Sequence, residues 1–281
     1  MTEHDGLRLR DIADAFDYFL VDQFGVLHDG IAPYAGAPEA LMALKQAGKT
    51  VLLLSNSGKR SAANEARLWQ LGFPQGGWDR FLSSGEVAWT LLAQVLAERQ
   101  ESRPLRCLLL ARGGDRSATD GLPLELVDDG ATADLVVISG SETDSRDISF
   151  YDAALRSAAQ RQVPCYCTNP DKTMLTSLGP RPGAGHLAER YERMGGVVRW
   201  IGKPYPQIYE AARHLLGNPP AARMVCVGDS IEHDIVGGQN AGLATALVAT
   251  GILAGLGDVG RSRLFAEHGV VPTVSLPAFV W

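Results

Sequence analysis

Five side chains that lie far apart in the sequence are of the types used in phosphoryl transfer: Asp22, Ser55, Lys203, Asp229 and Asp234. Short apolar, β-favouring runs precede them: Tyr18-Phe-Leu-Val21 before Asp22, Val51-Leu-Leu-Leu54 before Ser55, Val197 to Ile201 before Gly202-Lys203, and Met224-Val-Cys-Val227 before Gly228-Asp229. Carboxylates at two strand tips can hold a hard divalent cation such as Mg²⁺, which takes oxygen ligands and keeps several waters. A lysine and a serine beside them can grip phosphate oxygens. An aspartate can then serve as nucleophile in a reaction whose main demands are positioning and charge neutralisation. No single residue here is specific. A lone aspartate after a strand is usually the start of a turn, and Ser55-Asn56-Ser57-Gly58 before a helix is usually an N-cap. The order and spacing of the whole set carry the signal.

These groups can meet only if the strands are parallel and neighbouring. The runs are short and continuously apolar, as in strands covered on both faces, and they alternate with helical patterns. Helices are expected over residues 37–46, 59–71, 84–98, 147–160, 187–194 and 207–216. Strands are expected at 18–21, 50–55, 106–111, 134–139, 163–168, 197–201, 223–228, 244–249 and 270–274. Such alternation predicts a Rossmann-like α/β fold with a parallel sheet. A parallel sheet puts all its carboxyl ends on one edge, where ligands bind. The helix after Ser55-Asn56-Ser57-Gly58 would point its dipole at an anion there. Residues 81–181 have enough apolar periodicity for a core of their own. The expected division is therefore a core domain of residues 1–80 and 182–281 and an inserted domain of 81–181.

Composition narrows the functional classes. The chain has 281 residues, 46% hydrophobic and 21% charged, with a formal net charge of -6. An acidic chain is not a nucleic-acid binder driven by bulk charge. No apolar run approaches the roughly 20 residues that span a bilayer, so no membrane partner is expected. The opening Met1-Thr-Glu-His-Asp lacks a hydrophobic signal core, so a cytoplasmic location is expected. Cys107, Cys165, Cys167 and Cys226 sit in or beside strand-like runs and read as buried hydrophobes rather than metal ligands.

The motifs Val21-Asp22-Gln-Phe24-Gly-Val-Leu, Leu54-Ser55-Asn56-Ser57, Gly202-Lys203-Pro204 and Gly228-Asp229-Ser-Ile-Glu-His-Asp234 together resemble the haloacid dehalogenase superfamily, and within it the class IIA branch of phosphatases. Thr168-Asn169-Pro170-Asp171 and Pro182-Gly183-Ala-Gly185 are similar to segments of that branch's cap. The resemblance spans nearly the whole chain. It implies a Mg²⁺-dependent phosphatase of a small phosphorylated metabolite, with an inserted α/β cap of the C2 type and a homodimer formed through the cap. By the same resemblance, Asp22 is nucleophile and metal ligand and Lys203 steadies both Asp22 and the phosphoryl group. Ser55, Asn56, Ser57, Asn169 and Asp171 contact substrate. The metal set is Asp22, the backbone carbonyl of Phe24, Asp229 and Asp234.

Two positions depart from the family pattern, the smaller departure being His233, where a threonine is common before the final aspartate. The usual Asp-x-Asp, whose second carboxylate protonates the leaving group, is here Asp22-Gln23-Phe24. Loss of acid–base help typically costs on the order of 10²–10⁴ in rate. His28 and Asp171 are candidate substitute proton carriers. Two other readings stay open: a metal-independent, dehalogenase-like hydrolase, and a non-catalytic binder of phosphorylated metabolites. Arg112, Asp115 and Arg146 fall near loop positions and read as surface polar residues.

Overall fold

The computed structural model describes residues 6–100, 103–176 and 179–281; the acidic opening, residues 1–5, lies outside them. In chain order the helices and strands begin with α1 (Leu9–Ile12), β1 (Tyr18–Val21), α2 (Ala37–Gln46), β2 (Thr50–Ser55), α3 (Ser61–Gln70), β3 (Arg80–Ser83) and α4 (Ser84–Ala97). Next come β4 (Leu105–Leu110), β5 (Leu124–Val127), β6 (Leu135–Ile138), α5 (Ile148–Gln160), β7 (Pro164–Cys167), β8 (Thr173–Thr176), β9 (Gly179–Pro182), α6 (Ala184–Arg193) and β10 (Val197–Trp200). The chain ends with α7 (Pro206–Leu215), β11 (Met224–Gly228), α8 (Val236–Asn240), β12 (Ala244–Val248), α9 (Asp258–His268) and β13 (Val274–Leu276). It divides into two units. The first holds the described residues up to Ser55 with 62–82 and 203–281, and the second holds those among 56–61 and 83–202.

In the first unit a six-stranded sheet runs β13-β12-β11-β1-β2-β3, and every pair from β13 to β2 is parallel. Followed along the chain, the sheet grows from β1 through β2 to β3, then restarts on the other side of β1 with β11. The winding direction thus reverses between β1 and β11, the place where open α/β sheets bind ligands. Both strands are apolar along their length, with β11 buried throughout. Alternate residues Phe19, Val21, Val225 and Val227 pack on one face against Leu41 and Leu44 of α2. Each such buried side chain contributes roughly 1.5–3 kcal/mol. The two strands flanking the reversal are therefore held firmly by their own core.

The second unit has its own five-stranded sheet, β10-β7-β6-β4-β5, parallel throughout, and a separate antiparallel pair β8–β9. Here the expected boundary at residue 181 is corrected, because residues 182–202 belong to this unit. β10 pairs with β7 from Val197↔Pro164 to Trp200↔Cys167. Leu187, Ala188 and Tyr191 of α6 bury against Tyr151 and Leu155 of α5. The Tyr191 hydroxyl also donates to Val163 O at 2.6 Å.

Two local expectations change as well. The last strand is Val274–Leu276 rather than 270–274, because α9, absent from the sequence reading, runs to His268 and stops at Gly269 with φ 64°. The start of α3 is not an open anion site. The helix begins at Ser61, whose N–H donates to the Glu86 carboxylate at 3.1 Å. Among the described residues no helix is long and apolar enough to cross a membrane. All four cysteines are buried and unbridged, and burial pushes the Cys107 thiol up to about 12.

Candidate active site

Asp22 stands one residue past β1, and its N–H still donates to Val227 O of β11 at 2.8 Å, so the sheet fixes its backbone. Lys203 approaches from the loop before α7, and its Nζ donates to Asp22 Oδ1 at 2.6 Å and to Asp234 Oδ1 at 2.7 Å. Asp234 sits in a π-helical turn, Ile231–Ile235, that follows β11. Its Oδ2 accepts the Ser230 N–H at 3.1 Å. Asp229 completes the group: Asp22, Asp229 and Asp234 each bring a carboxylate oxygen within 4.8 Å of the others. Lys203, Asp229 and Asp234 are each only 3% exposed.

Asp229 is seated by two glycines. A Cβ on Gly25 (φ +89°) would lie 2.1 Å from Asp229 Oδ2, and one on Gly251 (φ +58°) only 1.9 Å from it. The same oxygen accepts the Ile252 N–H at 2.8 Å, and Thr250 Oγ1 donates to Gly25 O at 2.6 Å, tying the two loops together. Gly251→Ala is therefore expected to displace the Asp229 carboxylate and to destabilise the fold by about 2 kcal/mol, through clash and left-handed strain. A thermal melt and a metal titration matching wild type would show that the seat has room to spare.

Three carboxylates against one ammonium leave the cluster with excess negative charge in a poorly hydrated place. Burial raises the Asp22 carboxyl well above its ordinary range, with Asp234 and Asp229 adding to this and Lys203 opposing it. Asp229 is pushed up to about 7 by burial and then by Asp234. For Lys203 burial disfavours the charge, but the attraction of Asp22 and Asp234 wins and holds the ammonium well above its usual value. Hard oxygen donors, mutual repulsion and burial are the conditions under which a divalent cation fits.

The remaining sequence candidates fall in different surroundings. The Ser55 hydroxyl, at the tip of β2, accepts from Gln23 Nε2 at 2.5 Å. Phe24 is 39% exposed and meets the His28 ring edge-on at a 5.8 Å centroid distance. His28 is corrected as a proton carrier. It is buried, its Nδ1 accepts the Gly30 N–H at 2.9 Å, and its Nε2 makes no hydrogen bond among the described residues. Burial, and then the Arg67 charge, lower it to about 4, so it stays neutral near pH 7. In the second unit Asn56 Nδ2 donates to Asp171 Oδ1 at 2.8 Å, and the Asp171 N–H donates to Asn169 Oδ1 at 3.1 Å. Ser57 serves the local turn: its Oγ accepts the Lys59 N–H at 3.3 Å, and its carbonyl accepts from Gly85 N and Ser84 Oγ.

Sequence reasoning gives Gly25 a turn after Asp22 but misses its place beside Asp229, and misses Gln23, Thr250 and Gly251. A signal for the last two was present, since Thr250-Gly251 follows β12 on the same sheet edge as the other tips.

Comparison with known proteins gives the chain's relatives. A family model described as haloacid dehalogenase-like hydrolase matches residues 19–122, and a HAD-hydrolase-like model matches residues 200–273. Chronophin of Rattus norvegicus is 31% identical over 274 residues, covering 95% of this chain and 87% of the relative. Among solved structures, a haloacid dehalogenase-like hydrolase from Brucella suis superposes with a TM-score of 0.82 at 29% identity, over 97% of this chain and 99% of the other. A glycerol phosphate phosphatase from Mycobacterium tuberculosis, in complex with calcium, matches with a TM-score of 0.67 at 28% identity, over 86% of this chain and 68% of the other.

Proposed function

The chain belongs to the haloacid dehalogenase-like hydrolases, in their class IIA phosphatase branch, and from that premise we propose that it is a Mg²⁺-dependent phosphatase of a small phosphorylated metabolite. The observation that carries this reading is the linked group in which Lys203 bridges Asp22 and Asp234 beside Asp229. Asp22 attacks phosphorus and becomes an aspartyl phosphate as the P–O bond to the leaving group breaks and the departing alkoxide takes a proton from solvent. Water then attacks the aspartyl phosphate, gives a proton to solvent, releases phosphate and restores the carboxylate. Lys203, charged at any working pH, holds Asp22 in one orientation and offsets charge on the phosphoryl oxygens. Ser55 donates to those oxygens from the neighbouring strand tip. Asp22, the Phe24 carbonyl, Asp229 and Asp234 would hold Mg²⁺, which supplies charge neutralisation as a Lewis acid. We read the second unit as the branch's cap, in which Asn56, Asn169 and Asp171 offer amide and carboxylate groups suited to the polar part of a metabolite.

The test is phosphate release from a panel of phosphorylated metabolites and p-nitrophenyl phosphate, with Mg²⁺ and with chelator. Release only with Mg²⁺ is expected. Equal release under both conditions would favour metal-independent hydrolysis, and none from any compound would favour a non-catalytic binder.

The raised carboxyls also set a pH dependence. The folded chain holds protons on Asp22 and Asp229 more tightly than the unfolded chain does. Metal-free stability should thus fall as pH rises from about 4 to about 7, because the native state binds more protons in that window. Mg²⁺ must displace those protons, so its affinity should rise with pH toward 7 by up to about tenfold per pH unit for each proton displaced. Thermal melts at pH 5 and pH 8, with and without Mg²⁺, check both signs. Metal-free protein that is more stable at pH 8 would contradict the assignment.

A further inference from the structure

The strand order of the second unit's sheet reverses direction in its own right. Taken in chain order, the sheet starts at β4, β5 lies outside it at the edge, and β6, β7 and β10 extend the other way. Its winding reverses between β4 and β6, and such sheets bind ligands beyond the carboxyl ends of the strands at that reversal. α5 and α6 cover one face, packing with Leu108, Val136, Ile138 and Cys167. The connection from β5 to β6, residues 128–134, carries no helix. The β4–β5 end of that face is therefore left without a helical cover. A cavity of about 550 Å³ lies there, against Leu108, Leu110, Val127, Phe150, Tyr151 and Ala154. That volume falls within the roughly 300–1,000 Å³ of small-molecule sites.

The polar rim sorts into committed and uncommitted groups. Glu142 accepts from Gly113 N at 2.9 Å and from Arg146 Nε at 3.0 Å. Asp115 accepts from Ser117 and lies 3.4 Å from Lys59 Nζ. The Arg146 guanidinium rests 4.8 Å over the half-exposed Phe150 ring. Arg116 and Asp128, both exposed rim residues, make no side-chain hydrogen bond or ion pair among the described residues. Asp128 directly follows β5, the second strand, where doubly wound nucleotide sites place an acid on the ribose diol. Gly113 and Gly114, both at positive φ, make the turn after β4, the first strand. No helix follows that turn, so the anion contact at this rim falls to the Arg116 side chain.

We infer that this cavity binds a ribonucleotide: the base lies on the Phe150 side of the apolar wall, Asp128 accepts from the 2′- and 3′-hydroxyls, and Arg116 pairs with the phosphate. The site is built wholly from second-unit residues and does not depend on the catalytic reading of Asp22.

The test is calorimetric titration of adenosine 5′-monophosphate into the full chain, with chelator present and no added inorganic phosphate. Saturable binding is expected. Asp128→Asn, Arg116→Ala and Phe150→Ala, all at exposed positions, should each weaken it about tenfold, the effect of losing one charge-assisted bond or one stacking contact. Asp22→Asn should leave it unchanged, and 2′-deoxyadenosine 5′-monophosphate should bind about tenfold more weakly. Turnover of p-nitrophenyl phosphate without nucleotide should be the same in the three cavity variants as in wild type. No saturable binding up to millimolar nucleotide would overturn the site, as would full binding in the triple cavity variant or loss of binding in Asp22→Asn. Equal affinity for the 2′-deoxy compound would overturn the diol contact.

Discussion

Asp22→Asn is expected to abolish turnover of phosphate esters, by on the order of 10⁴ or more, in a protein that remains folded. The amide is close to isosteric but is a poor nucleophile and a weaker cation ligand. Its effect on stability should be small or favourable. Asp22 is held among Asp229 and Asp234 with its carboxyl raised well above the ordinary range, so neutralising it relieves repulsion in the metal-free state. The side chain can still accept from Lys203. A residual rate within about tenfold of wild type, in a sample with a wild-type melting curve, would remove Asp22 from the nucleophile's role.

Phe24→Asp carries the second large effect. If Phe24 stands at the place of a general acid, the wild-type handicap depends on the leaving group. p-Nitrophenolate departs with little proton assistance, whereas an alkoxide needs it. The substitution should raise kcat/KM on alkyl phosphates more than on p-nitrophenyl phosphate, by up to the roughly 10²–10⁴ of acid–base catalysis. The Phe24 ring is 39% exposed, and its recorded ring contact is the edge of His28, so its removal opens less of a cavity than loss of a core phenyl would. His28 does not compensate in wild type, being neutral near pH 7 with Nδ1 bound to Gly30. A ratio of the two kcat/KM values that is unchanged or reversed, in a folded mutant that binds Mg²⁺, would show that no acid is missing at this position.

What was legible in the sequence follows from how local each signal is. Asp22 and Asp229 could be placed together because each follows an apolar strand of one parallel sheet, whose carboxyl ends share an edge. For Lys203 that reasoning is corrected, since β10 before it belongs to the other sheet and the lysine is delivered by the loop before α7. The 4.8 Å grouping of the Asp22, Asp229 and Asp234 carboxylates is what the structure then adds. The division of the chain was less legible at residues 182–202. The pattern of Val197–Trp200 says strand but does not say which strand it pairs with, and β7 is chosen by packing with α6. Nor could the β8–β9 pair be read from Gly179–Pro182, whose two prolines argue against a strand. The seat of Asp229 between Gly25 and Gly251 joins loops more than 200 residues apart, and no local pattern reports such crowding. A lone histidine likewise looks the same in sequence whether it faces a site or, like His28, is buried beside Phe73.

The most direct measurement is on Asp22 itself during the reaction. Mg²⁺-replete wild type turning over p-nitrophenyl phosphate is quenched in acid at a series of times, digested, and the peptide containing Asp22 is weighed by mass spectrometry. Attack by Asp22 on phosphorus predicts that this peptide carries one phosphoryl group during turnover and loses it once substrate is exhausted. A phosphoryl group on any other residue, or steady product formation with the Asp22 peptide unmodified at every quench time, would contradict it.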